Sequence, residues 1–450
     1  MASFLSRLSR ALPALLLWSA PVVRAGLAPS PYTVGPLTSS DDKWATKVCD
    51  VTKYGAVADG VTDFGPALLA AFEACIDGGV VNIPSGTFAM ATWQTLSGGS
   101  AWAINLEGTI IRTGTAGGHM IVVEDTTDFE IYSSNGGGAI QGYGYEFLEN
   151  GEYGPRLLRL IDVDQFSVHD IRLVDSPAFH LILDTCSNGE VYNVIVRGAN
   201  MGGLDGIDVW GFNIWVHDVE VTNKDECVTI KNPSNHILVE NVYCNWSGGC
   251  SIGSLGEDTD IYEVTYENIY SQNCNSMMFF KSNGGNGSVY DSQFTNFIGH
   301  SNAYSLIINA YWSDETVAAG DGVLYTDLTF SDWTGDCADG ALRGPIALWC
   351  PTDQPCDGIT IEDFALWTAE GSYEYYSCEN AWGTGDCLRA GTAHTAYSMS
   401  TVTVSATPAG WSAARMPSDI TSGLGITTSI AIPPLPTTFF PGATPISAIP

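Results

Sequence analysis

The sequence predicts an all-β chain that folds as a right-handed parallel β-helix, a solenoid with a short capping helix near its N-terminus. An alternating run of apolar and polar residues recurs along the middle of the chain, beginning at Val168, Val191, Ile214, Ile237 and Ile261. The steps are 23, 23, 23 and 24 residues, which is a period typical of stacked β coils. The 49 glycines and only 15% charged residues also favour a turn-rich β protein over a helical one.

Looser copies of this run begin at Val289 and near Leu324. Asparagine, glycine and aspartate separate the runs, as turns require. Leucine-rich repeats have a similar period, but their LxxLxL pattern and helical half are absent from this sequence. The repeat therefore indicates coils of parallel strands, each of which buries one face on its neighbours.

The capping helix is predicted over residues 66–76. Pro66 suits a first helical turn, Leu69 and Phe72 recur on one face, and Gly78 lies just after the last turn. One helix followed by many strands indicates a cap, because the open end of a solenoid would otherwise expose the edges of its sheets.

The two ends of the chain differ from its middle. Residues 1–25 are predicted to be a signal peptide, because Arg7 and Arg10 precede an apolar stretch that is too short to span a membrane. The mature protein is therefore expected outside the cell. Residues 26–390 are predicted to form the solenoid and carry the site. Residues 391–450 are rich in Ser, Thr and Pro and are predicted to be an extended tail, either packed on the solenoid or projecting from it.

The charge balance is strongly acidic, with 17 basic and 50 acidic residues and a net charge of −33. This balance argues against nucleic acids and anionic membranes as partners. The histidines show no metal-binding spacing, and no Cys-x-x-Cys, phosphate-binding or dinucleotide-binding motif occurs. We therefore predict no metal and no cofactor.

Four short motifs stand in a fixed order along the repeat. They are Gly203-Leu204-Asp205, Asp225-Glu226, Ser247-Gly248-Gly249 and Phe279-Phe280-Lys281. In order and spacing they resemble the Asn-Thr-Asp, Asp-Asp, Gly-His-Gly and Arg-Ile-Lys elements of the pectin-degrading glycoside hydrolases of the polygalacturonase group. The Asp-Glu pair and the missing histidine and arginine resemble the rhamnogalacturonan hydrolase (rhamnogalacturonase) branch. The resemblance extends from about Lys43 to the C-terminus.

The resemblance implies roles for individual residues. Asp225 would be the general acid, and Asp205 and Glu226 would hold and activate a water molecule, with inversion at the sugar carbon. Lys281 would bind a carboxylate of the substrate. Asp208 would contact the substrate or hold the Asp205 loop by a backbone hydrogen bond. Solvated turn acids and a surface lysine are the alternatives.

The spacing of these acids fits one face of the solenoid. Asp205 and Asp225 are 20 residues apart, which is slightly under one coil, and equivalent positions of successive coils lie about 4.8 Å apart. In a flat strand Asp225 and Glu226 would face opposite ways, so their use together requires a bend. Trp246, two residues before the first of two glycines, is predicted to bind substrate in the same cleft.

The expected activity is hydrolysis of the α-1,2 bond between galacturonate and rhamnose inside rhamnogalacturonan, endo-acting and without a cofactor. Phe279 and Gly248 replace polar contacts that a polygalacturonase makes, which favours a backbone containing neutral rhamnose. The alternatives are hydrolysis of polygalacturonate or xylogalacturonan, a polysaccharide lyase, and a non-catalytic binder. Because pectin is a polyanion, the acidic chain needs a less negative cleft or an acidic working pH. We expect the enzyme to act as a monomer.

The twelve cysteines of a secreted chain indicate disulfides. Their spacing favours Cys227–Cys244, Cys350–Cys356, Cys378–Cys387 and, near the N-terminus, Cys49–Cys75, and the resemblance supports all four pairs. The four remaining cysteines are expected to be mostly free, buried thiols: Cys186, Cys250, Cys274 and Cys337.

Two sequons fit N-glycosylation, Asn245-Trp246-Ser247 and Asn286-Gly287-Ser288. Asn286 lies in a glycine-rich loop and is the better candidate. A glycan on Asn245 would lie beside the predicted cleft, where it could obstruct the substrate.

Overall fold

The structure is a computed structural model that describes residues 26–391 and 394–450. The predicted signal peptide, residues 1–25, lies outside the described residues. The predicted parallel β-helix is confirmed, because the strands stack in about 12 coils and neighbouring coils pair in parallel. Among the described residues no helix is long and apolar enough to cross a membrane.

The N-terminal part contains α1 (Ser40–Thr46), a 3-10 helix (Val51–Tyr54), α2 (Gly65–Cys75) and α3 (Tyr145–Leu148). Its strands are β1 (Val48–Asp50), β2 (Asp59–Asp63), β3 (Asp77–Ile83), β4 (Thr87–Met90), β5 (Gln94–Ser97), β6 (Ser100–Leu106), β7 (Thr109–Arg112), β8 (His119–Glu124), β9 (Thr127–Tyr132) and β10 (Ala139–Gln141).

The middle coils contain β11 (Arg156–Ile161), β12 (Asp164–His169), β13 (Arg172–Val174), β14 (Leu181–Arg197), β15 (Ile207–Thr222), β16 (Glu226–Asn245), β17 (Gly249–Leu255), β18 (Thr259–Gln272) and β19 (Met278–Ser282). The last coils contain β20 (Gly287–Asn302), β21 (Leu306–Asn309), β22 (Leu324–Cys337), β23 (Ile346–Trp349), β24 (Cys356–Thr368), β25 (Glu374–Glu379), β26 (Ala381–Thr384) and β27 (Ser400–Val404).

The strand register corrects two steps of the predicted repeat. Val168 pairs with Val191 as predicted, but Val191 pairs with Val216 rather than Ile214. Ile237 pairs with Val264 rather than Ile261. The turns between coils vary in length, and apolar residues two or three positions away imitate the true partner. Despite this drift, each of the paired apolar side chains is fully buried in the interior of the coil.

A ladder of short polar side chains runs along one corner of the coils. Asn193 donates to Asp170 over 2.9 Å, and Asn241 donates to Asp218 over 3.1 Å. Asn268 continues the ladder to Asn241 over 3.1 Å. All of these residues have positive φ, a conformation that Asn and Asp tolerate better than other non-glycine residues. Each corner therefore turns sharply, and the amide N–H groups of Asn193, Asn241 and Asn268 each have an acceptor on the neighbouring coil.

The two ends of the solenoid are covered in different ways. At the N-terminal end α2 packs on the first coils, and its Phe72 ring lies 4.8 Å from that of Trp102. Each end of α2 lies one residue before the corresponding end of the predicted helix, residues 66–76. At the other end β27 pairs with β25 in the antiparallel direction, the reverse of the coil-to-coil pairings. Both covers shield strand edges that would otherwise be open.

The four predicted disulfides are all formed: Cys49–Cys75, Cys227–Cys244, Cys350–Cys356 and Cys378–Cys387. Cys186, Cys250, Cys274 and Cys337 are free and buried. Asn286 is exposed and available to a glycosylating enzyme. The Asn245 side chain is fully buried and donates to the Tyr243 hydroxyl over 3.2 Å. The folded chain therefore does not present Asn245 for glycosylation, contrary to the sequence-based expectation.

Candidate active site

Three of the predicted acids come together on the outer face of β15 and β16. Asp205 precedes β15, Asp208 lies within β15, and Glu226 is the first residue of β16. Asp208 of β15 is in register with Thr229 of β16. Oxygen atoms of the three carboxylates lie within 4.8 Å of one another. The exposed fractions of Asp205, Asp208 and Glu226 are only 5%, 0% and 5%, respectively. These three buried acids are here termed the floor of the site.

Lys231 supplies positive charge to this floor, and the sequence analysis missed it. Its ammonium lies 2.8 Å from Glu226, 3.5 Å from Asp208 and 3.8 Å from Asp205. In a regular strand, residues 226 and 231 would face opposite ways. The register between β16 and β17 shifts between Glu226 and Thr229, and such a bulge re-aims the side chains that follow it.

Of the four predicted acids, Asp225 alone is partly exposed. One of its carboxylate oxygens accepts the backbone N–H of Gly203 over 2.5 Å, and the other accepts that of Glu226 over 3.0 Å. Its own backbone carbonyl accepts the Ser247 hydroxyl over 2.8 Å and the Gly248 N–H over 2.6 Å. The loops before β15 and after β16 thus hold Asp225 at the surface of the cleft, above the three buried acids.

Two further polar residues, Asn223 and His180, hold the loop before β15 in place. The Asn223 amide donates to the carbonyls of Leu204 and Glu226 over 2.7 and 2.9 Å. The Asp205 carbonyl accepts the backbone N–H of His180 and also lies 3.0 Å from its Nδ1. Burial lowers the pKa of His180 to about 4, so its neutral ring serves as a support. Neither residue had a sequence signal, because contacts to backbone atoms leave no pattern in side-chain type.

Burial dominates the electrostatics of the site. It raises the pKa of Asp205 to about 8, and the negative charges of Asp208 and Asp225 add to this shift. The ammonium groups of Lys231 and Lys281 act in the opposite direction. Burial likewise raises the pKa of Asp208 and lowers that of Lys281. At neutral pH the buried acids therefore retain a proton among them.

Lys281 lies on β19 beside two aromatic rings. Its ammonium forms an ion pair with Glu226 and lies 4.7 Å from the centre of the Trp312 ring and 5.9 Å from that of Phe279. The two rings meet edge to face with their centres 6.0 Å apart. Both rings are partly exposed, so the second lysine of the site has an aromatic border that can pack on a sugar face.

Two predicted substrate contacts are placed differently by the structure. Asp208 is fully enclosed and faces Lys231, which puts its carboxylate out of reach of a substrate. The backbone hydrogen bond suggested for Asp208 is also absent from the contacts of the described residues. The indole N–H of Trp246 donates to the carbonyl of Ile420 in the C-terminal tail over 3.0 Å. That group is thus committed to the protein, and the ring is only partly exposed.

The three clustered carboxylates have the donor set of a cation site. The cation that they surround is the ammonium of Lys231, and Lys281 contacts Glu226 from the other side. Two fixed ammonium groups thus provide the positive charge that buried carboxylates require.

Gly248 occupies the position where the polygalacturonase pattern has a histidine. A Cβ atom on Gly248 would lie 2.9 Å from the Asp225 carbonyl carbon and 3.2 Å from the Glu226 nitrogen. The backbone of the acid pair packs directly against this glycine, so a side chain here would have to displace the pair.

The outer face of this parallel β-helix combines a partly exposed acid with buried carboxylates and two lysines, and so holds the paired carboxyl groups that a glycoside hydrolase uses. The sequence pattern of the glycosyl hydrolases family 28 matches residues 79–387. The chain belongs to this family and is a glycoside hydrolase.

Relatives match most of the chain. It is 59% identical over 418 residues to the probable rhamnogalacturonase B of Aspergillus fumigatus, covering 93% of this chain and 80% of that protein. It is 56% identical over 440 residues to rhamnogalacturonase A of Aspergillus aculeatus, covering 98% and 99%.

Solved structures share the fold. The endo-xylogalacturonan hydrolase of Aspergillus tubingensis aligns with a TM-score of 0.64 and 24% identity, over 72% of this chain and 93% of that one. The polygalacturonase of Erwinia carotovora aligns with a TM-score of 0.54 and 17% identity, over 81% and 100%. At these identities the likeness supports the β-helix and not a particular substrate.

Proposed function

We propose that this chain is an extracellular endo-hydrolase that cleaves the α-1,2 bond between galacturonate and rhamnose within rhamnogalacturonan. The observation that carries the proposal is the contrast between partly exposed Asp225 and the enclosed pair Asp205 and Glu226. A glycosidase needs two carboxyl environments, one for a proton donor and one for a proton acceptor. The rhamnogalacturonase names of the relatives support the choice of polymer.

In the proposed reaction Asp225 gives its proton to the oxygen of the bond that breaks. A water molecule held by Asp205 and Glu226 attacks the sugar carbon from the opposite face and loses its proton to them, which inverts the configuration. We assign the acceptor role to the pair because the resemblance to the polygalacturonase group places the carboxylates that hold the water at Asp205 and Glu226. Lys231 and Lys281 stabilise the negative charge of the pair through the reaction.

The same features support the proposed substrate. Galacturonate carries one carboxylate for each pair of sugars in this polymer. The resemblance assigns the binding of this carboxylate to Lys281, whose ammonium is buried and paired with Glu226 before substrate binds. Phe279 and Trp312 offer apolar surface to the neighbouring rhamnose with its methyl group. Positive charge on the floor also reduces the repulsion that a net charge of −33 exerts on a polyanion.

The test is product analysis on debranched rhamnogalacturonan and, in parallel, on polygalacturonate. We expect saturated oligomers with rhamnose at the non-reducing end, from the first polymer alone, and a loss of about 10³-fold or more in Asp225→Asn. The exposed Asp353→Asn is the matched control and should keep full activity. Cleavage of polygalacturonate would refute the substrate, and unsaturated ultraviolet-absorbing products would refute hydrolysis.

The four disulfides support folding in an oxidising compartment. With the predicted signal peptide, this favours secretion of a chain that begins at Gly26, and we propose that this chain acts as a monomer. N-terminal sequencing and light scattering of the protein from culture medium test both points. A start within residues 1–25, or a mass of twice the chain, would contradict them.

A further inference from the structure

The C-terminal tail runs back along one flank of the solenoid, opposite to the order of the coils. Its polar contacts reach successively earlier strands: Trp411 to the Gly335 carbonyl at 2.7 Å, Ala414 to His300 at 2.7 Å, and Asp419 to the hydroxyls of Tyr270 and Tyr243 at 2.7 and 2.9 Å. This course carries residues 420–424, here termed the brace, to the edge of the candidate active site.

The brace binds the loop that carries Asp205. The Leu424 carbonyl accepts the backbone N–H of Asn200 over 2.8 Å. The Leu424 side chain packs on a small apolar cluster that contains Leu204, which is fully buried and directly precedes Asp205. The brace is close to this loop as well, because a Cβ atom on Gly423 would lie 2.5 Å from the Asn200 side chain.

The brace also binds the loop on the other side of Asp225. The Ile420 carbonyl accepts the indole N–H of Trp246 over 3.0 Å. The next residue, Ser247, donates its hydroxyl to the Asp225 carbonyl over 2.8 Å. From the first loop, the Gly203 N–H reaches the Asp225 carboxylate. Asp225 is therefore held by two loops, and one five-residue segment of the tail contacts one loop through Ile420 and the other through Gly423 and Leu424.

We propose that the brace is a positioning element of the active site, which fixes the distance between the two loops and so the orientation of Asp225 over Asp205 and Glu226. The inference rests on the proposed function, because it takes Asp225 as the proton donor. The brace touches neither the substrate nor the reacting atoms. It acts through the loops, and a displacement of a catalytic group by about 1 Å is enough to slow a reaction by about 100-fold.

Two glycines of the tail provide a matched test. Gly423→Ala inserts a methyl group against Asn200, whereas Gly425→Ala, just beyond the brace, meets only the Thr428 hydroxyl at 3.7 Å. We expect Gly423→Ala to lower kcat 10- to 100-fold with KM changed less than threefold, and Gly425→Ala to leave both unchanged. The melting temperatures of the two variants should agree within about 2 °C.

A second pair guards against a general loss of folding. Leu424→Ala removes the apolar contact with the Leu204 cluster, and Leu424→Met restores most of it. We expect kcat to fall in the first variant and to recover in the second. Equal kcat values for Gly423→Ala and Gly425→Ala, or a loss in Leu424→Ala that Leu424→Met does not rescue, would overturn the proposal.

The rates are measured on the pectic polymer that the wild type cleaves. A different polymer would refute the substrate proposed above and leave the comparison of glycine variants intact. A wild type with no activity on any of the polymers would overturn both proposals together. Normal wild-type turnover with no difference between the two glycine variants would overturn this one alone.

Discussion

Glu226 and Lys231 lie five residues apart on one strand, yet their charged groups are 2.8 Å apart on the same face of the sheet. The bulge after Glu226 makes this contact possible. The buried acids of the site are thus accompanied by a cation from the strand that begins at Glu226.

Removing this cation should damage both stability and activity. Lys231→Met leaves the buried acids with less compensating charge, so we expect a loss of roughly 3 kcal/mol in the free energy of unfolding. Because the ammonium lowers the pKa of Asp205, its loss should raise that pKa further and lower kcat/KM by about 100-fold at neutral pH. Thermal unfolding and a pH–rate profile measure these effects. Lys53→Met, on the exposed 3-10 helix, is the control, and normal activity in Lys231→Met would contradict our account of the floor.

A side chain at Gly248 should displace the acid pair. In Gly248→Ala the new methyl group lies 2.9 Å from the Asp225 backbone, and we expect kcat to fall 10- to 100-fold. Gly256→Ala is the matched control, because its methyl group meets only Ala318 at 3.6 Å. Steady-state kinetics of both variants decide the matter, and equal kcat values would show that the pair tolerates the contact.

The buried Glu374 should make the protein less stable as the pH rises. Burial raises its pKa from 4.5 to about 7, so the folded state binds this proton more tightly than the unfolded state does. The resulting stability is present below about pH 4.5 and is lost as the pH rises to about 7. Glu374→Gln should match the wild type at pH 4 and be more stable by roughly 2 kcal/mol at pH 8.

Chemical denaturation at the two pH values measures this difference. The exposed Glu362→Gln should show none, and an equal effect of Glu374→Gln at both pH values would exclude titration of Glu374 as its cause.

The two sequons should respond in opposite ways in a glycosylating host. Asn286→Gln is expected to remove the mass of one N-glycan. It should cost less than about 1 kcal/mol, because the side chain is exposed and a contact that it loses is its acceptance of the Asp258 backbone N–H over 2.7 Å. Asn245→Gln should leave the mass of the glycans unchanged and cost roughly 1–2 kcal/mol, because it disturbs a buried amide that donates to Tyr243. Intact-mass spectrometry and thermal unfolding separate the outcomes. A glycan on Asn245 would mean that the chain is modified before this coil closes.

Much of the solenoid could be predicted from the sequence, because its strands bury one face and therefore alternate. The 23-residue step from Val168 to Val191 matches the register. The step from Val191 to Ile214 does not, because extra residues in a turn shift the true partner to Val216 without changing the apolar pattern. The spacing of the repeat therefore predicts the existence of the coils better than it predicts which residues of neighbouring coils pair.

The acids of the site were predicted from motifs whose order and spacing resemble those of the polygalacturonase group, but their supports were not. Lys231 was overlooked because simple alternation along the strand places it on the opposite face from Glu226, whereas the bulge brings it to the same face. The course of the tail was left open because its contacts with the site come from the carbonyls of Ile420 and Leu424. Every residue has a carbonyl, so such contacts carry no signature in the sequence.

The antiparallel pairing of β27 with β25 limits how the fold can grow. In a stack of parallel coils the last strand is a template on which a coil of another molecule could be added, and repetition of that step produces a fibre. A strand that runs the opposite way does not present the same hydrogen-bonding template to a further parallel coil. The reversal of five residues, Ser400–Val404, therefore replaces the parallel template at that edge with an antiparallel one.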